Sequence, residues 1–563
     1  MEFLARAANI LLKIEPWAIV GGGIAAGLGA LVALESERWR AIGGRLLTLG
    51  LVAVILPWSI FNGFVHPSFA SQVGKFPVIN LIVAILWATG AMLAGLSWLR
   101  WAQPAAQSAA KRLTRVSALQ RNERTDVRRI DDFLPAAAGE FDPREFFDLA
   151  KGFFLGLGES LKAAYLKLDT FPHAQVVGTT GAGKGVMLAI WAAQCLLRGI
   201  AVVWLDPKND EWAPHVLAAA AKAAGRVFIL IDLRPAEGPQ INLFWGATAE
   251  QIEELFLAGF SLAEKGSDAD FYRLADRQAA HRMAQAAAAG GGLTPAALYN
   301  KYGPELRETA PGFAGLLQEM AAIPAVNARE GLDLRRAVED GAALYFVGSM
   351  RNAKVIRLQR MVLVKLVQLA EERDRTKGKP RPICAVLDEA KYHVSRPALE
   401  ALSASRDKGL HMILAHQSQA DLRDCPADLD PDAVVGAVME NCALKIVYRV
   451  QDPVTAEWLA RKSGRIQVDD EMRRVRRNAA LSETVDPDRQ IRQAERFLID
   501  ENMILNLRPS QAVVFGAGLP RFITTAPLKV AKDPANLVPR TCVGDALQEA
   551  QDLFDLSKPE KPF

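Results

Sequence analysis

Two short stretches of this sequence carry residue types suited to polyphosphate chemistry. The first is Gly178-Thr179-Thr180-Gly181-Ala182-Gly183-Lys184-Gly185. Its glycines let the backbone curl so that N–H groups point inward at a polyphosphate, and a helix N-terminus behind them adds its positive dipole end. Lys184 is then placed to reach the β- and γ-phosphates. The position after the lysine usually offers a Ser or Thr hydroxyl to magnesium, and here it is Gly185. The second stretch is Asp388-Glu389, closing the apolar run Pro382–Leu387. Asp388 is suited to hold magnesium through its water shell, and Glu389 to polarise a water against the γ-phosphate. Alone, the first stretch reads as any Gly-rich turn and the second as an exposed acidic turn. Together they make both halves of a P-loop ATPase site, with ATP and Mg2+ as its cofactors.

Two further residues fit that chemistry. Gln417, in His416-Gln417-Ser418-Gln419, follows the apolar run His411–Ala415. A glutamine at the end of a strand beside the Asp-Glu strand contacts both γ-phosphate and attacking water, and so reports hydrolysis to the rest of the protein. The competing reading is a helix cap or turn. Arg449, closing Leu444–Tyr448, is the first candidate for an arginine finger that completes a neighbour's site, with Arg406 and Arg351 as competitors. A surface salt bridge is the plain alternative for each.

These residues need a sheet to position them. His173–Val177 reads as the strand before the glycine loop, and Val186–Trp191 as the opening of the helix after it. Ile200–Leu205, ending in Asp206-Pro207-Lys208-Asn209-Asp210, then Val227–Leu233 and Ala343–Gly348 read as further strands, and a helix runs from about Val355 to Glu372. Strands alternating with helices give a parallel sheet covered on both faces. The expected fold class is therefore α/β, a RecA-like P-loop domain built from residues 151–246 and 341–535. Residues 247–340 break the alternation with Ala/Glu/Leu-rich helical periodicity and Gly breaks, which reads as an inserted all-α domain. Its Arg273, Arg277, His281 and Arg282 are interspersed with acids, as on a solvated face rather than in a DNA groove. The charge-dense segment from Asp469 to Arg496 reads as a mobile surface loop or a subunit contact, and residues 536–563 as a polar tail.

Half of the 563 residues are hydrophobic, and the excess lies at the amino end. Pro16–Leu34, Leu46–Val65 and Val78–Leu99 are free of charge, each near the ~20 residues that span a bilayer. Residues 1–105 are accordingly expected to be a transmembrane region, followed by a basic juxtamembrane linker over 106–150. The first run is rich in Gly and Ala, so a helix that packs rather than spans is its alternative. Arg38, Arg40 and Arg45 lie between the first two runs, only Lys75 between the second and third, and a basic series from Arg100 to Arg129 after the third. The positive-inside rule puts the amino terminus outside and everything beyond residue 100 in the cytoplasm. That basic series serves topology and anionic lipid first, with DNA contact as second choice. The net charge of +4 says little about partners, and the five scattered cysteines argue against zinc or disulfides and fit a reducing compartment.

The order of these elements resembles the coupling proteins of conjugative type IV secretion systems, the TraG/TraD type, within the FtsK/HerA group of motor ATPases. The likeness runs over most of 160–530: a loop ending Gly183-Lys184-Gly185, Asp206-Pro207-Lys208, a helical insertion, Leu387-Asp388-Glu389 and His416-Gln417-Ser418-Gln419. It implies a homo-hexamer in the bacterial inner membrane that binds relaxase and relaxosome, and drives single-stranded DNA into the secretion channel. Three apparent spans depart from the two usual in that family. The rivals are an FtsK-like translocase of double-stranded DNA, for which the stretch after 530 is short of a winged helix, and a nucleotide-gated membrane receptor with little turnover. Gly185 slightly favours the receptor; the Asp388-Glu389 pair disfavours it.

Overall fold

A computed structural model describes residues 2–35, 39–60, 78–114 and 125–539, leaving aside 137–138, 168–171, 235–237, 267–268, 375, 377 and 379. Arg38, the loop at 66–77 with Lys75, Arg115, Arg121, Arg124 and the tail beyond 539 lie outside the described residues. The chain divides into two compact units, one of residues 1–124 with 467–496, the other of 125–466 with 497–563.

In the larger unit, strands that are apolar at every position have two faces to bury, which drives them into a covered parallel sheet. The strands are β1 (Phe153–Leu157), β2 (Ala163–Leu166), β3 (Ala174–Val177), β4 (Ala201–Asp206), β5 (Phe228–Asp232), β6 (Ala343–Val347), β7 (Ile383–Leu387), β8 (Leu410–His416) and β9 (Leu444–Tyr448), with β12 (Gln511–Phe515) and β13 (Arg521–Thr524) after a ribbon formed by β10 (Arg465–Arg477) and β11 (Glu483–Phe497). Eleven of them form one sheet in the order β2-β1-β13-β12-β9-β3-β8-β7-β4-β6-β5. From β9 to β5 the pairing is parallel; β12, β13, β1 and β2 add an antiparallel edge. Alternate residues face opposite layers. Val203, Leu205, Ala385 and Leu387 belong to one core, and Val202, Trp204, Cys384 and Val386 to the other. The expected α/β sheet, covered on both faces, is what the chain forms.

The helix Lys184–Leu197 after the glycine loop and the helix Ala213–Ala223 cover the second face. The helices between Ala249 and Glu339 share the first core with the long helix Ala353–Glu371. Phe256, Phe260 and Phe313 form their aromatic centre, with ring centroids 5.2 to 5.5 Å apart. Between 247 and 340 the described residues form helices, apart from one isolated β-bridge of Gly331 to Ile241, and the segment packs on the sheet.

In the smaller unit, α1 (Glu2–Glu35), α2 (Arg40–Ile60) and α3 (Val78–Ser97) are each long and apolar enough to cross a membrane. Four of the five glycines of the first run, Gly22, Gly23, Gly27 and Gly29, lie at helix crossings. A Cβ on Gly22 would meet the Gly50 carbonyl oxygen at 2.7 Å, and one on Gly29 would meet the Leu47 nitrogen at 2.5 Å. Small residues let helix backbones approach closely, which is how apolar helices associate where water gives no drive. A π turn over Trp98–Ala102 continues α3 into α4 (Gln103–Thr114).

The charge-dense stretch expected as a loop is a two-stranded ribbon, β10 (Arg465–Arg477) with β11 (Glu483–Phe497). Residues 467–496 of it group with the amino-terminal helices, although they fall within the stretch read as nucleotide-binding. Its turn reaches those helices. The Asn478 side chain donates to the Leu99 carbonyl at 2.7 Å and to Gln103 Oε1 at 3.1 Å, the Ala479 N–H donates to Glu35 at 2.8 Å, and Ser482 Oγ donates to the Arg100 carbonyl at 3.2 Å. A π turn widens the helical ladder and leaves carbonyls open to such partners.

Candidate nucleotide site

The glycine loop is tied to both neighbouring strands. The Gly178 N–H donates to the His416 carbonyl at 3.2 Å, and the Thr179 N–H to the Arg449 carbonyl at 2.8 Å. Underneath lies Tyr448, fully buried, its hydroxyl 3.0 Å from Thr525 Oγ1. A Cβ on Gly178 would meet Tyr448 Cβ at 2.7 Å, and one on Gly183, whose φ is +124°, would meet the Tyr448 ring at 2.7 Å. The loop is therefore seated on Tyr448 at a distance that only glycine allows, and its curled backbone has the form that fits a polyphosphate. Lys184 opens the following helix and is buried; its ammonium donates to the Gly178 carbonyl at 2.6 Å. Burial pulls its pKa down, and the charges of Glu389 and Asp388 pull it back in part.

At the end of β7, the Asp388 N–H donates to the Leu205 carbonyl of β4 at 3.1 Å. His393 donates its Nε2 proton to the Asp388 carbonyl at 2.9 Å. Burial raises the Asp388 carboxyl to about 6, against the opposing charge of Lys208. Glu389 has a left-handed backbone, φ +49°. Burial pushes its carboxyl up too, but the bonded ammonium of Lys208 outweighs that and holds it below the ordinary carboxylate value. Among the described residues no cluster of three or more His, Cys, Asp or Glu could hold an ion alone. Magnesium at Asp388 would thus take its remaining ligands from phosphate and water, as this hard, reluctantly dehydrated ion usually does.

β8 lies between β3 and β7, so its end opens between the glycine loop and the carboxylates. Gln417 Nε2 donates to Glu389 Oε1 at 3.3 Å. Capping of the short helix after it falls to Ser418, whose hydroxyl accepts the Asp421 N–H. Burial lowers the pKa of His416 to about 4, so the ring is neutral; it donates from Nδ1 to the Ser418 carbonyl at 2.9 Å and accepts from Gln175 at Nε2.

Lys184, Asp388, Glu389 and Gln417 are thus brought to the carboxyl ends of three adjacent strands, where open α/β sheets present their chemistry. Arg449 holds the loop through its carbonyl, and its guanidinium makes no hydrogen bond or ion pair among the described residues. Arg351 is exposed beyond β6 at the same end of the sheet. Arg406 is exposed before β8, at the opposite end. Sequence reasoning quoted Lys208 within the Asp206-Pro207-Lys208 turn but gave it no role at the site. Its ammonium lies 2.5 Å from Glu389 Oε1 and 3.4 Å from Asp388 Oδ2. The signal was a lysine in the turn after a strand that neighbours β7, a pairing no local pattern reveals.

Known proteins share parts of this pattern. A family model described as the TraM recognition site of TraD and TraG matches residues 382–509. Mobilization protein A of Escherichia coli is 32% identical over 340 residues, covering 57% of this chain and 60% of that protein. The chain thus aligns with three fifths of that relative's length. The solved bacterial conjugative coupling protein TrwBdeltaN70, in an unbound monoclinic form, has a TM-score of 0.52 at 17% identity, over 72% of this chain and 97% of that one. That is a likeness of fold. The fold is that of the RecA-like P-loop nucleotide-binding domains. The chain's particular likeness is to the type IV coupling proteins of bacterial conjugation, and the resemblance read from the order of its motifs is borne out.

Proposed function

We propose that this protein is a membrane-anchored coupling ATPase that uses hydrolysis to move single-stranded nucleoprotein into a conjugative secretion channel. The convergence of Lys184, Glu389 and Gln417 on one cradle, in a chain with three span-length helices, carries the reading. ATP would lie on the loop from Gly178 to Gly185, with Asp388 holding Mg2+ through water. The bound metal nucleotide supplies the electrophilic phosphorus and its charge neutralisation. The protein's own work is then positioning: Glu389 takes the proton of the attacking water, and Gln417 links that carboxylate to β8.

The three helices are proposed to sit in the bacterial inner membrane as a multi-pass anchor. The ribbon turn supports the orientation, because it meets the Glu35 end of α1 and the Leu99–Gln103 stretch just beyond α3, both assigned to the cytoplasm. Assembly as a hexamer, with Arg449 the trans arginine finger, belongs to the same proposal. The match to a TraM recognition site supports a relaxosome partner; relaxase and channel components are proposed with it.

The test is ATP hydrolysis by the purified full-length protein, with and without single-stranded DNA, beside Lys184→Ala and Glu389→Gln. DNA-stimulated turnover, lost in both variants, supports the motor. Nucleotide binding without turnover, in protein shown to assemble on DNA, sinks it in favour of a gated receptor.

A further inference from the structure

The Asp206–Asp210 turn is more elaborately built than a strand-to-helix connection needs. Asp206, 1% exposed at the end of β4, accepts the Lys208 N–H at 2.8 Å on one oxygen. Its other oxygen accepts the Asp210 N–H at 2.6 Å and the Tyr345 hydroxyl at 2.6 Å. Pro207 restricts the backbone between them, and Asn209 turns it back with φ +58°. The product of this scaffold is the direction of one side chain. Because β4 pairs with β7 in parallel, Leu205 beside Leu387, the turn leans over the Asp388-Glu389 corner. Lys208 crosses that corner and lies 3.4 Å from each Asp388 oxygen and 2.5 Å from Glu389 Oε1.

The distribution of contacts on Glu389 is uneven. Lys208 and Gln417 both engage Oε1. Oε2 takes no hydrogen bond or ion pair among the described residues, while the side chain is 4% exposed. A general base needs a fixed carboxylate with one oxygen left for the water's proton. Here one oxygen is gripped and the other is open.

We infer that Lys208 is a positioning residue of the hydrolytic site, held by Asp206, which grips Glu389 by Oε1 and leaves Oε2 for the attacking water. This rests on the ATPase reading above and deepens it. Lys184 belongs to the phosphates; Lys208 belongs to the carboxylates. Its hold on Glu389 comes from β4, and Gln417 reaches the same oxygen from β8, so strands on either side of β7 meet at the base.

The test has two arms, both on the full-length protein. The first compares steady-state hydrolysis and nucleotide affinity for wild type, Lys208→Met and Lys208→Arg, with single-stranded DNA present. The expected result is a kcat lowered roughly 10²-fold in Lys208→Met, the scale of a displaced general base, with nucleotide affinity nearly unchanged and most of kcat restored in Lys208→Arg. Weakened affinity with kcat retained would make Lys208 a phosphate ligand and overturn the inference; so would no change in either.

The second arm needs no turnover. It is a thermal-unfolding cycle of Lys208→Met, Glu389→Gln and the double variant, in which contacting residues give a non-additive loss. Coupling is expected, and additive losses overturn the Lys208 contact whatever the kinetics. Coupling in a wild type that binds nucleotide without turning it over sinks the ATPase reading, and the catalytic role of Lys208 with it, while leaving the contact standing. Turnover with additive unfolding sinks the Lys208 inference alone.

Discussion

Gly183 lies so close to the ring of Tyr448 that a methyl group between them would be 2.7 Å from Cε1. The ring has nowhere to retreat, because Tyr448 is fully buried and its hydroxyl is engaged with Thr525. Gly183→Ala must therefore both strain a backbone at φ +124° and lift the loop off its floor. Strain of that kind costs on the order of 1–3 kcal/mol, so nucleotide affinity should weaken roughly tenfold or more. Tyr448→Phe keeps the ring and should leave affinity intact, at about 1 kcal/mol of stability. Titration with a fluorescent ATP analogue checks both. Full affinity in Gly183→Ala would mean the nucleotide lies elsewhere.

Much of the site is legible in sequence because each strand announces its end. Val177, Leu387 and Ala415 close apolar runs, and Gly178, Asp388 and Gln417 follow at or near the sheet's chemical edge. What stays hidden is what pairing supplies. Lys208 meets Glu389 only because β4 lies beside β7. The antiparallel edge strands β1, β2, β12 and β13 are short, and the pairing that joins them, Leu157 of β1 beside Thr524 of β13, brings together residues far apart in the chain. The ribbon is hidden for another reason: between Asp469 and Arg477 charge replaces the apolar alternation by which a half-buried strand is recognised.

Acid should destabilise this protein through its buried imidazoles. Burial pushes His173, His393 and His416 down to about 4. Unfolded, each takes up its proton near 6.5, so between those values the unfolded chain binds more protons. The stability they contribute is present above 6.5 and lost as pH falls toward 4, at about 1.4 kcal/mol per pH unit for each. Asp388, raised to about 6, acts in the opposite direction and offsets one of them between its unfolded pKa and 6. Unfolding free energy followed against pH should therefore have a slope about 1.4 kcal/mol per unit smaller in His416→Gln. An unchanged slope would show that His416 is not held neutral.

The ribbon turn and the ends of the apolar helices should be joinable chemically. With cysteines in place of Glu35 and Ala479, a short bifunctional maleimide should close a loop within one chain, because the Ala479 N–H donates to the Glu35 carboxylate. Asn478→Ala, which loses the bonds to Leu99 and Gln103, should reduce the yield several-fold. Gel mobility after cleavage between the two sites reads the product. No bridging in the parent pair would refute the docking.

Helix packing in the smaller unit gives a controlled comparison. A side chain on Gly50 would meet the Gly22 carbonyl oxygen at 2.5 Å and the Ala26 nitrogen at 2.6 Å, whereas Gly44 has nothing within 4 Å. Gly50→Leu should force α1 and α2 apart and lower the thermal midpoint of the detergent-extracted protein by several degrees, while Gly44→Leu should change it little. Equal effects would mean that the two helices do not cross at Gly50.

The chain passes between its two compact units three times, at 124/125, 466/467 and 496/497. They are not beads on one thread. A fragment begun at Thr125 to obtain soluble material would keep residues 467–496 while discarding the helices they group with, leaving the turn without the partners of Asn478, Ala479 and Ser482 on a two-stranded ribbon whose outer edges can recruit other chains. Its aggregation or altered assembly would then be an artefact of the cut. A faithful soluble version needs two excisions, the amino-terminal 124 residues and the ribbon, with a short turn joining Ile466 to Phe497.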